Sequence, residues 1–372
     1  MAEYRLIYTR LNDGDIVGEF PVLSLGWTEG LNQPGNASAV LLLEDTATFE
    51  VADAEGSTTV DTLVSPQLVT METVVPGATG VYVERDGVIL FGGVLWAAQL
   101  DVGASTLTVS IEGFMSYFRR LVISNTLTYS NVDQGTIAKS ILDYAQGKPG
   151  AASMLVVPAP GVSKPRDRTY LAYDRKNVAE AVEELASVSE GFDFFVTHTW
   201  DTDNESITSV FSMDANLLGR LTSIVFELGV NVTLLNLSVD GTAVANFVEA
   251  IGSAEDTRAL IGTAFDAPSL NTFPLLEAVE SFSDITERST LIDKASLRLK
   301  RGLQPTRRVG IEVFADSEPV LGSYRVGDRV VVRGSYGALE LDDTYRIVEY
   351  GVAVDGSGRE TITMVLVPAV SF

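Results

Sequence analysis

The 372-residue chain contains no cysteine and a single histidine, His198. Without thiols there is no disulfide, no thiolate metal site and no cysteine nucleophile. One imidazole cannot supply the several His or Cys ligands that zinc draws on. A Ser-His-Asp arrangement would have to use His198, yet Thr197 and Thr199 flank it in a strand-like run, and no Gly-x-Ser-x-Gly elbow occurs. His198 reads as a plain strand residue. A Gly-x4-Gly-Lys-Ser/Thr loop is also missing, so Gly77, Gly80 and the Gly92-Gly93 pair read as strand breakers or bulges rather than phosphate cradles.

Long apolar runs are missing too. None reaches the ~18 residues of a membrane-spanning helix, so no membrane insertion is expected. The start, Met1-Ala2-Glu3-Tyr4-Arg5, has neither the basic residues nor the apolar core of a signal peptide, and synthesis in a cytosol is expected. Bases are scarce: 26 against 50 acids, a formal charge of −24. A nucleic-acid grip needs clustered Lys and Arg to neutralise phosphates, so no specific nucleic-acid binding is expected. A passage for DNA would gain from that lack of adhesion.

What is present is β-structure. Hydrophobic residues make up 46% of the chain, which excludes a disordered polymer, and the length predicts two to four domains. Residues 74–114 read as an antiparallel meander. Asp86-Gly87 between two apolar runs signals a two-residue hairpin turn that needs positive φ at both positions. Leu107, Val109 and Ile111 alternate with Thr106, Thr108, Ser110 and Glu112, giving one buried and one wet face. The run 81–91 is apolar on both faces and suits a sheet covered on both sides. The segment 100–111 is echoed by 354–366, each with Asp and Gly in a turn before a Thr-apolar-Thr-apolar strand. A duplicated element and a chance likeness of two meanders both fit that echo.

Taken in order, strands are expected at 4–11, 16–25 and 37–43, with an acidic, irregular stretch at 44–65. Asp133 is a candidate cap for a helix bearing Ile137, Ala138, Ile141, Leu142 and Ala145 on one face, closed by Gly147. Asn177 with Glu180 resembles a capping box ahead of Val178, Ala181, Val182, Leu185 and Val188. A hairpin over 192–200 and 206–213 follows, turning at Asp201-Thr202-Asp203-Asn204-Glu205. Strands then recur at 223–227, 233–239 and 247–251. A helix at 287–301 carries Leu291, Ala295 and Leu299 on one face, with Lys294, Arg298, Lys300 and Arg301 suited to its C-terminal dipole. Strands at 308–315, 325–333, 344–354 and 360–367 close the chain. The fold class is mainly β with an α+β insertion. The expected division is 1–123, 124–216 and 217–372, the last with the flanking helix.

The chemistry-bearing clusters are few. Asp201, Asp203, Asn204 and Glu205 have the oxygen density of a calcium loop but lack the EF-hand Gly and closing Glu; they read as an acidic hairpin tip. Fifty acids leave no basis for choosing a glycosidase pair. Trp27, Trp96 and Trp200 read as core or interface anchors, with sugar stacking as the alternative. The tract Arg298, Lys300, Arg301, Arg307 and Arg308 reads as a solvated helix end or a subunit contact. No catalytic, cofactor-binding or metal-ligating residue is assigned, and no cofactor is expected.

Several stretches together resemble a family. They are Val75-Pro76-Gly77-Ala78-Thr79-Gly80-Val81-Tyr82-Val83-Glu84-Arg85-Asp86-Gly87 and Phe91-Gly92-Gly93-Val94-Leu95-Trp96; Tyr173 with 177–185 and Gly191-Phe192-Asp193-Phe194; Pro274-Leu275-Leu276-Glu277; the helix at 291–301; Tyr324-Arg325-Val326-Gly327-Asp328-Arg329-Val330; and Tyr345-Arg346-Ile347-Val348. In this order, across nearly the whole chain, they look like minor tail proteins of long-tailed phages of actinobacteria. Such proteins resemble the baseplate hub of T-even and Mu-like tails. The resemblance implies a homotrimer with two tube-like antiparallel β-barrel domains per subunit and a smaller mixed domain, placed at the virion tail tip. It implies contacts with the tail tube or distal tail ring, the tape-measure protein and fibre or tip proteins, and no active site. A carbohydrate-binding adhesin is the alternative, and a cell-wall hydrolase a further one. If three subunits enclose a channel, the candidate lumen positions are Thr106, Thr108, Ser110, Glu112, Glu360, Thr361 and Thr363, with basic residues kept at subunit contacts or outside.

Overall fold

The computed structural model describes residues 2–42, 48–52, 58–62, 74–160, 164–188, 190–214, 219–255, 258–282, 285, 287–315, 317–337 and 339–369. The chain is mainly β with small helical insertions, as its alternating patterns predict. It divides into two compact units: unit 1 is Met1–Leu235 with Ile311–Phe372, and unit 2 is Asn236–Gly310.

Unit 1 opens with β1 (Tyr4–Arg10), β2 (Ile16–Pro21), β3 (Ser24–Gly30) and β4 (Asn36–Leu42), then a separate hairpin of β5 (Thr48–Ala52) and β6 (Thr58–Thr62). The rest of the irregular stretch at 44–65 lies outside the described residues. The expected meander is β7 (Thr79–Arg85), β8 (Val88–Asp101) and β9 (Thr106–Gly113), followed by the one-turn helix α1 (Met115–Phe118). Asp86 and Gly87 have φ of 49° and 83°, the double positive φ their turn requires. Leu107, Val109 and Ile111 are buried, and the first six residues of β7 are buried on both faces.

The mixed segment comprises β10 (Leu127–Asp133), α2 (Gln134–Gln146), β11 (Pro165–Tyr170), α3 (Val178–Ser187), β12 (Asp193–Trp200) and β13 (Ile207–Asp214). Asp133 caps α2 by accepting the Thr136 N–H at 3.0 Å, and Asn177 caps α3 by accepting that of Glu180 at 3.1 Å. Ile137, Ala138, Ile141, Leu142 and Ala145 are fully buried, against Val178, Ala181, Val182 and Leu185 in one core cluster. The expected apolar stripe of α3 stops at Leu185, because Val188 is the C-cap in extended conformation.

Then come β14 (Leu221–Glu227) and β15 (Val232–Asp240), followed in unit 2 by β16 (Phe247–Glu255), β17 (Arg258–Phe265), β18 (Glu277–Ser281) and α4 (Arg288–Gly302). β19 (Thr306–Val313), β20 (Arg329–Tyr336), β21 (Leu339–Val354) and β22 (Glu360–Pro368) complete the chain. A thirteen-stranded sheet runs β15-β19-β22-β21-β3-β4-β9-β8-β7-β1-β2, with β20 pairing β21 and β14 pairing β20. Its early and late strands meet where β3 pairs β21. The two echoing hairpins, β8-β9 and β21-β22, flank β3 and β4 on either side.

The strand expected at 16–25 is two, β2 and β3, broken at 22–23, and β3 runs on to Gly30. Another strand starts later than expected. The sequence predicts a strand from 325, but β20 begins at Arg329. The carboxylate of Asp328, whose side chain is fully buried, accepts the backbone N–H groups of Arg220 at 2.8 Å and Arg325 at 3.2 Å. These bonds hold 325–328 in a turn. Unit 2 has its own core: Val248 and Ala250 of β16 pack with Leu291, Ala295 and Leu299 of α4. The sequence reading found β16 and α4 there but missed β17 and β18.

Candidate functional site

In unit 1 a small pocket forms where Glu29, Gly35, Phe91, Phe114, Phe194 and His198 converge. β3 supplies Glu29, β8 Phe91 and β12 Phe194 and His198, while Gly35 lies between β3 and β4 and Phe114 directly follows β9. His198 is buried, its Nδ1 lies 2.8 Å from Ser209 Oγ, and that oxygen lies 3.2 Å from the Tyr82 hydroxyl. The rings of Tyr82 and Phe114 approach the imidazole edge-on at 5.4 and 5.6 Å. Burial drives the His198 pKa down to about 3, so the ring is neutral. A serine bonded to a histidine is the start of a nucleophile arrangement. Here Ser209 is only 2% exposed, and no carboxylate among the described residues orients the ring. So weakly basic an imidazole is a poor general base at neutral pH. The group is a polar tie within the core, in line with the strand-residue reading of His198.

The same pocket holds an acid that sequence reasoning missed. Glu29 is half-buried, and burial raises its carboxyl to about 7 although the Tyr350 hydroxyl donates to Oε2 at 2.9 Å. Glu29 and Tyr350 are register partners on β3 and β21. The signal was available: period-2 alternation puts Glu29 on the same strand face as Leu25 and Trp27, both buried.

Charged pairs hold distant parts of unit 1 together. Arg346 donates to Asp193 at 2.6 Å, and Asn32 donates to the other Asp193 oxygen at 2.7 Å while accepting the Phe194 N–H at 2.6 Å. Glu84 takes both carboxylate oxygens to Arg5 at 2.9 Å and also accepts the Trp200 indole N–H at 3.2 Å. Arg220 reaches Asp328 at 2.7 Å.

The remaining candidates resolve one by one. Asp201 accepts the Glu205 N–H at 2.9 Å and the Ser206 hydroxyl at 2.8 Å, so its carboxylate closes the hairpin tip. Trp27 is a core residue, 2% exposed, and offers no face to a sugar. Trp96 donates to Ser116 Oγ at 2.8 Å, and the Arg120 guanidinium covers its ring at 4.9 Å. Of the candidate lumen positions, Ser110, Glu112 and Thr363 are exposed, and Thr106, Thr108 and Thr361 are half-buried. Glu360 leaves this group. It shares its strand face with the buried Ile362, Met364 and Leu366, and its side chain, 5% exposed, is paired with Arg85. Two residues on one strand face cannot be an odd number apart, so Glu360 and Thr361 point oppositely.

In unit 2, Arg298 pairs with Glu280 at 3.3 Å and donates to the Ala243 carbonyl at 3.0 Å, and Lys294 sits over the Phe282 ring at 5.3 Å. Lys300, Arg301, Arg307 and Arg308 are exposed.

No protein-family model matches the chain, and no curated protein matches it by sequence. Solved structures do match. The 43 kDa tail protein of prophage MuSo2 from Shewanella oneidensis superposes with a TM-score of 0.61 at 12% identity, covering 98% of both chains. A tail protein of Neisseria meningitidis gives a TM-score of 0.60 at 11% identity, covering 99% of this chain and 97% of that one. An Escherichia coli component of the type VI secretion system, itself structurally similar to the T4 tail proteins gp27 and gp5, gives 0.53 at 12% identity, over 94% of this chain and 74% of its own. The chain shares the fold of these phage tail proteins from end to end.

Proposed function

We propose that the chain is a structural virion protein, a hub at the tail tip that closes the tail tube and connects it to tip or receptor-binding components. The observation that carries this reading is the end-to-end likeness to a phage tail protein over 98% of both chains. The likeness to a type VI secretion component similar to gp27 and gp5 supports a place in the tail-tip assembly. The hub acts as a homotrimer. Residues 1–123 and 217–372 form its two tube-like halves, and 124–216 is the inserted mixed part. Three subunits with two barrels each present six barrels to a six-fold tube. The protein contacts the tail tube or distal ring, the tape-measure protein and fibre or tip proteins, and lets DNA pass without holding it. The stretches resembling tail proteins of actinobacterial phages supply the host class. Its role on this reading is structural, and its Ser209-His198 contact, sealed in the core, supports that.

A cryo-EM reconstruction of tail particles tests the reading. Three copies at the end of the tube are expected. Absence of the chain from purified tails, or lysis of host cell wall by the isolated chain, would overturn it.

A further inference from the structure

Unit 2 has two solvent faces of opposite character. Its sheet is ordered β17-β16-β18, and α4 covers one side of it. On the other side the register sets Phe265 beside Phe247 and Glu277, Thr263 beside Glu249 and Val279, and Ile261 beside Ile251 and Ser281. Phe265, Val279 and Ile261 are 50%, 57% and 37% exposed. The Phe247 and Phe265 rings pack edge to face with centroids 6.0 Å apart. Among the described residues of these three rows, the charged side chains on this largely apolar surface are the carboxylates of Glu249, in the middle row of the central strand, and Glu277.

The exposed flank of α4 is the reverse. Arg288, Ile292, Ser296 and Lys300 recur every fourth residue and form one stripe. Ile292 is 41% exposed, and Arg288 and Lys300 are exposed at the two ends, Arg288 with its Nε donating to the Ile261 carbonyl at 3.1 Å. Residues 288–308 hold seven bases and one acid, Asp293, in a chain whose formal charge is −24.

We propose that the sheet face of unit 2 receives the α4 stripe of a second copy of this chain. Exposed aromatic and β-branched residues grouped on one face mark a contact surface. Two copies at −24 each repel, so contact between them needs a local meeting of opposite signs. A sheet face whose charges, Glu249 and Glu277, are both negative fits a helix flank whose charges, Arg288 and Lys300, are both positive, and each carries exposed apolar residues beside them. Within one unit α4 lies on the other side of the sheet from this face, so the stripe does not reach it. Such a head-to-tail contact, repeated with a rotation of one third of a turn, closes a ring of three. The inference rests on the homotrimer reading and names the surface that makes it.

The test uses the full chain and light scattering after size-exclusion chromatography, with melting curves as a folding control. Glu249→Lys with Glu277→Lys, and separately Arg288→Glu with Lys300→Glu, are expected to weaken self-association at least about tenfold, as like charges meet across the contact. The quadruple variant, with both faces reversed, is expected to reassemble. Double variants that assemble like wild type overturn the surface assignment and leave the hub reading standing. A folded quadruple variant that stays dissociated overturns it as well. Double variants that keep their self-association but lose another tail protein would give the face to that protein instead. A wild-type chain that stays monomeric yet is found in tails overturns this contact, and one absent from tails removes the hub reading too.

Discussion

Arg85 grips both carboxylate oxygens of Glu360 at 3.1 and 3.2 Å, across 275 residues of sequence. The pair joins the end of β7 to the start of β22 in unit 1, and its side chains are only 14% and 5% exposed. Removing one partner of a buried pair costs about 3–5 kcal/mol, and Asp86, 3.3 Å from Arg85 and half exposed, keeps the cost at the low end because it still faces the guanidinium. Glu360→Ala is therefore expected to lower unfolding free energy by about 3 kcal/mol in urea titrations. Arg85→Met with Glu360→Leu should recover most of the loss. Equal stability of Glu360→Ala and wild type would show that the pair contributes nothing.

His198 is the only histidine, so its imidazole gives one NMR signal free of overlap. Burial lowers its pKa to about 3. In the folded protein the signal should not titrate between pH 8 and pH 5. Because the unfolded chain takes up a proton near the ordinary value of about 6.5, the native state loses stability as pH falls through that value toward 3. His198→Phe should flatten that loss. A titration midpoint near 6.5 in the native protein would refute the sealed-core description.

Glu29 works in the opposite direction. Its carboxyl, ordinarily at 4.5, is raised to about 7 by burial. Between these values the native state keeps a proton that the unfolded chain has released, so stability falls as pH rises across that window. Glu29→Gln keeps an acceptor for the Tyr350 hydroxyl and loses the titration. At pH 8 the variant should be the more stable by about 2–3 kcal/mol, converging with wild type near pH 4. Identical pH profiles would count against a protonated Glu29.

Helix α4 lies directly on β17 at Gly262. A Cβ there would come within 2.5 Å of the Ile292 nitrogen and of the Leu291 carbonyl carbon, both backbone atoms that cannot swing aside. Gly262→Ala should separate helix from sheet, at about 1–3 kcal/mol as in other overpacked cores. Hydrogen exchange within 236–310 reads the effect, and unchanged protection there would contradict the close approach.

Much of the fold was legible because local rules decided it. Asp86-Gly87 demanded a particular turn, Asp133 and Asn177 offered caps, and the stripe from Ile137 to Ala145 had no other way to be buried. What stayed hidden depends on partners far along the chain. β20 begins late because Asp328 is claimed by Arg220, and no window around 325–333 contains that arginine. β17 was missed because its outward Ile261 and Phe265 are as apolar as its inward residues, which erases the alternation, and β18 because it is five residues long with Glu280 on the side that faces α4. Glu360 looked like a wet-face residue until Arg85 met it, although the strand period alone separates it from Thr361. Glu29 could have been found the same way.

The exposed strand positions Ser110 and Glu112 on β9 and Thr363 on β22 carry no base. If they line the channel of the trimer, DNA passes them in transit. Each arginine placed there would meet phosphates, and every phosphate contact adds salt-sensitive affinity, with a slope near −0.9 per contact against log salt. Ser110→Arg with Glu112→Arg and Thr363→Arg, three per subunit and nine in the ring, should slow DNA ejection in low salt and release it as salt rises. The same three changes on the outside of the ring would leave ejection unchanged, so the assay separates lumen from outer surface. Assembly serves as the control: tails of normal number and length with impaired, salt-dependent ejection identify the lumen. Normal ejection at 50 mM salt would place these strand faces elsewhere.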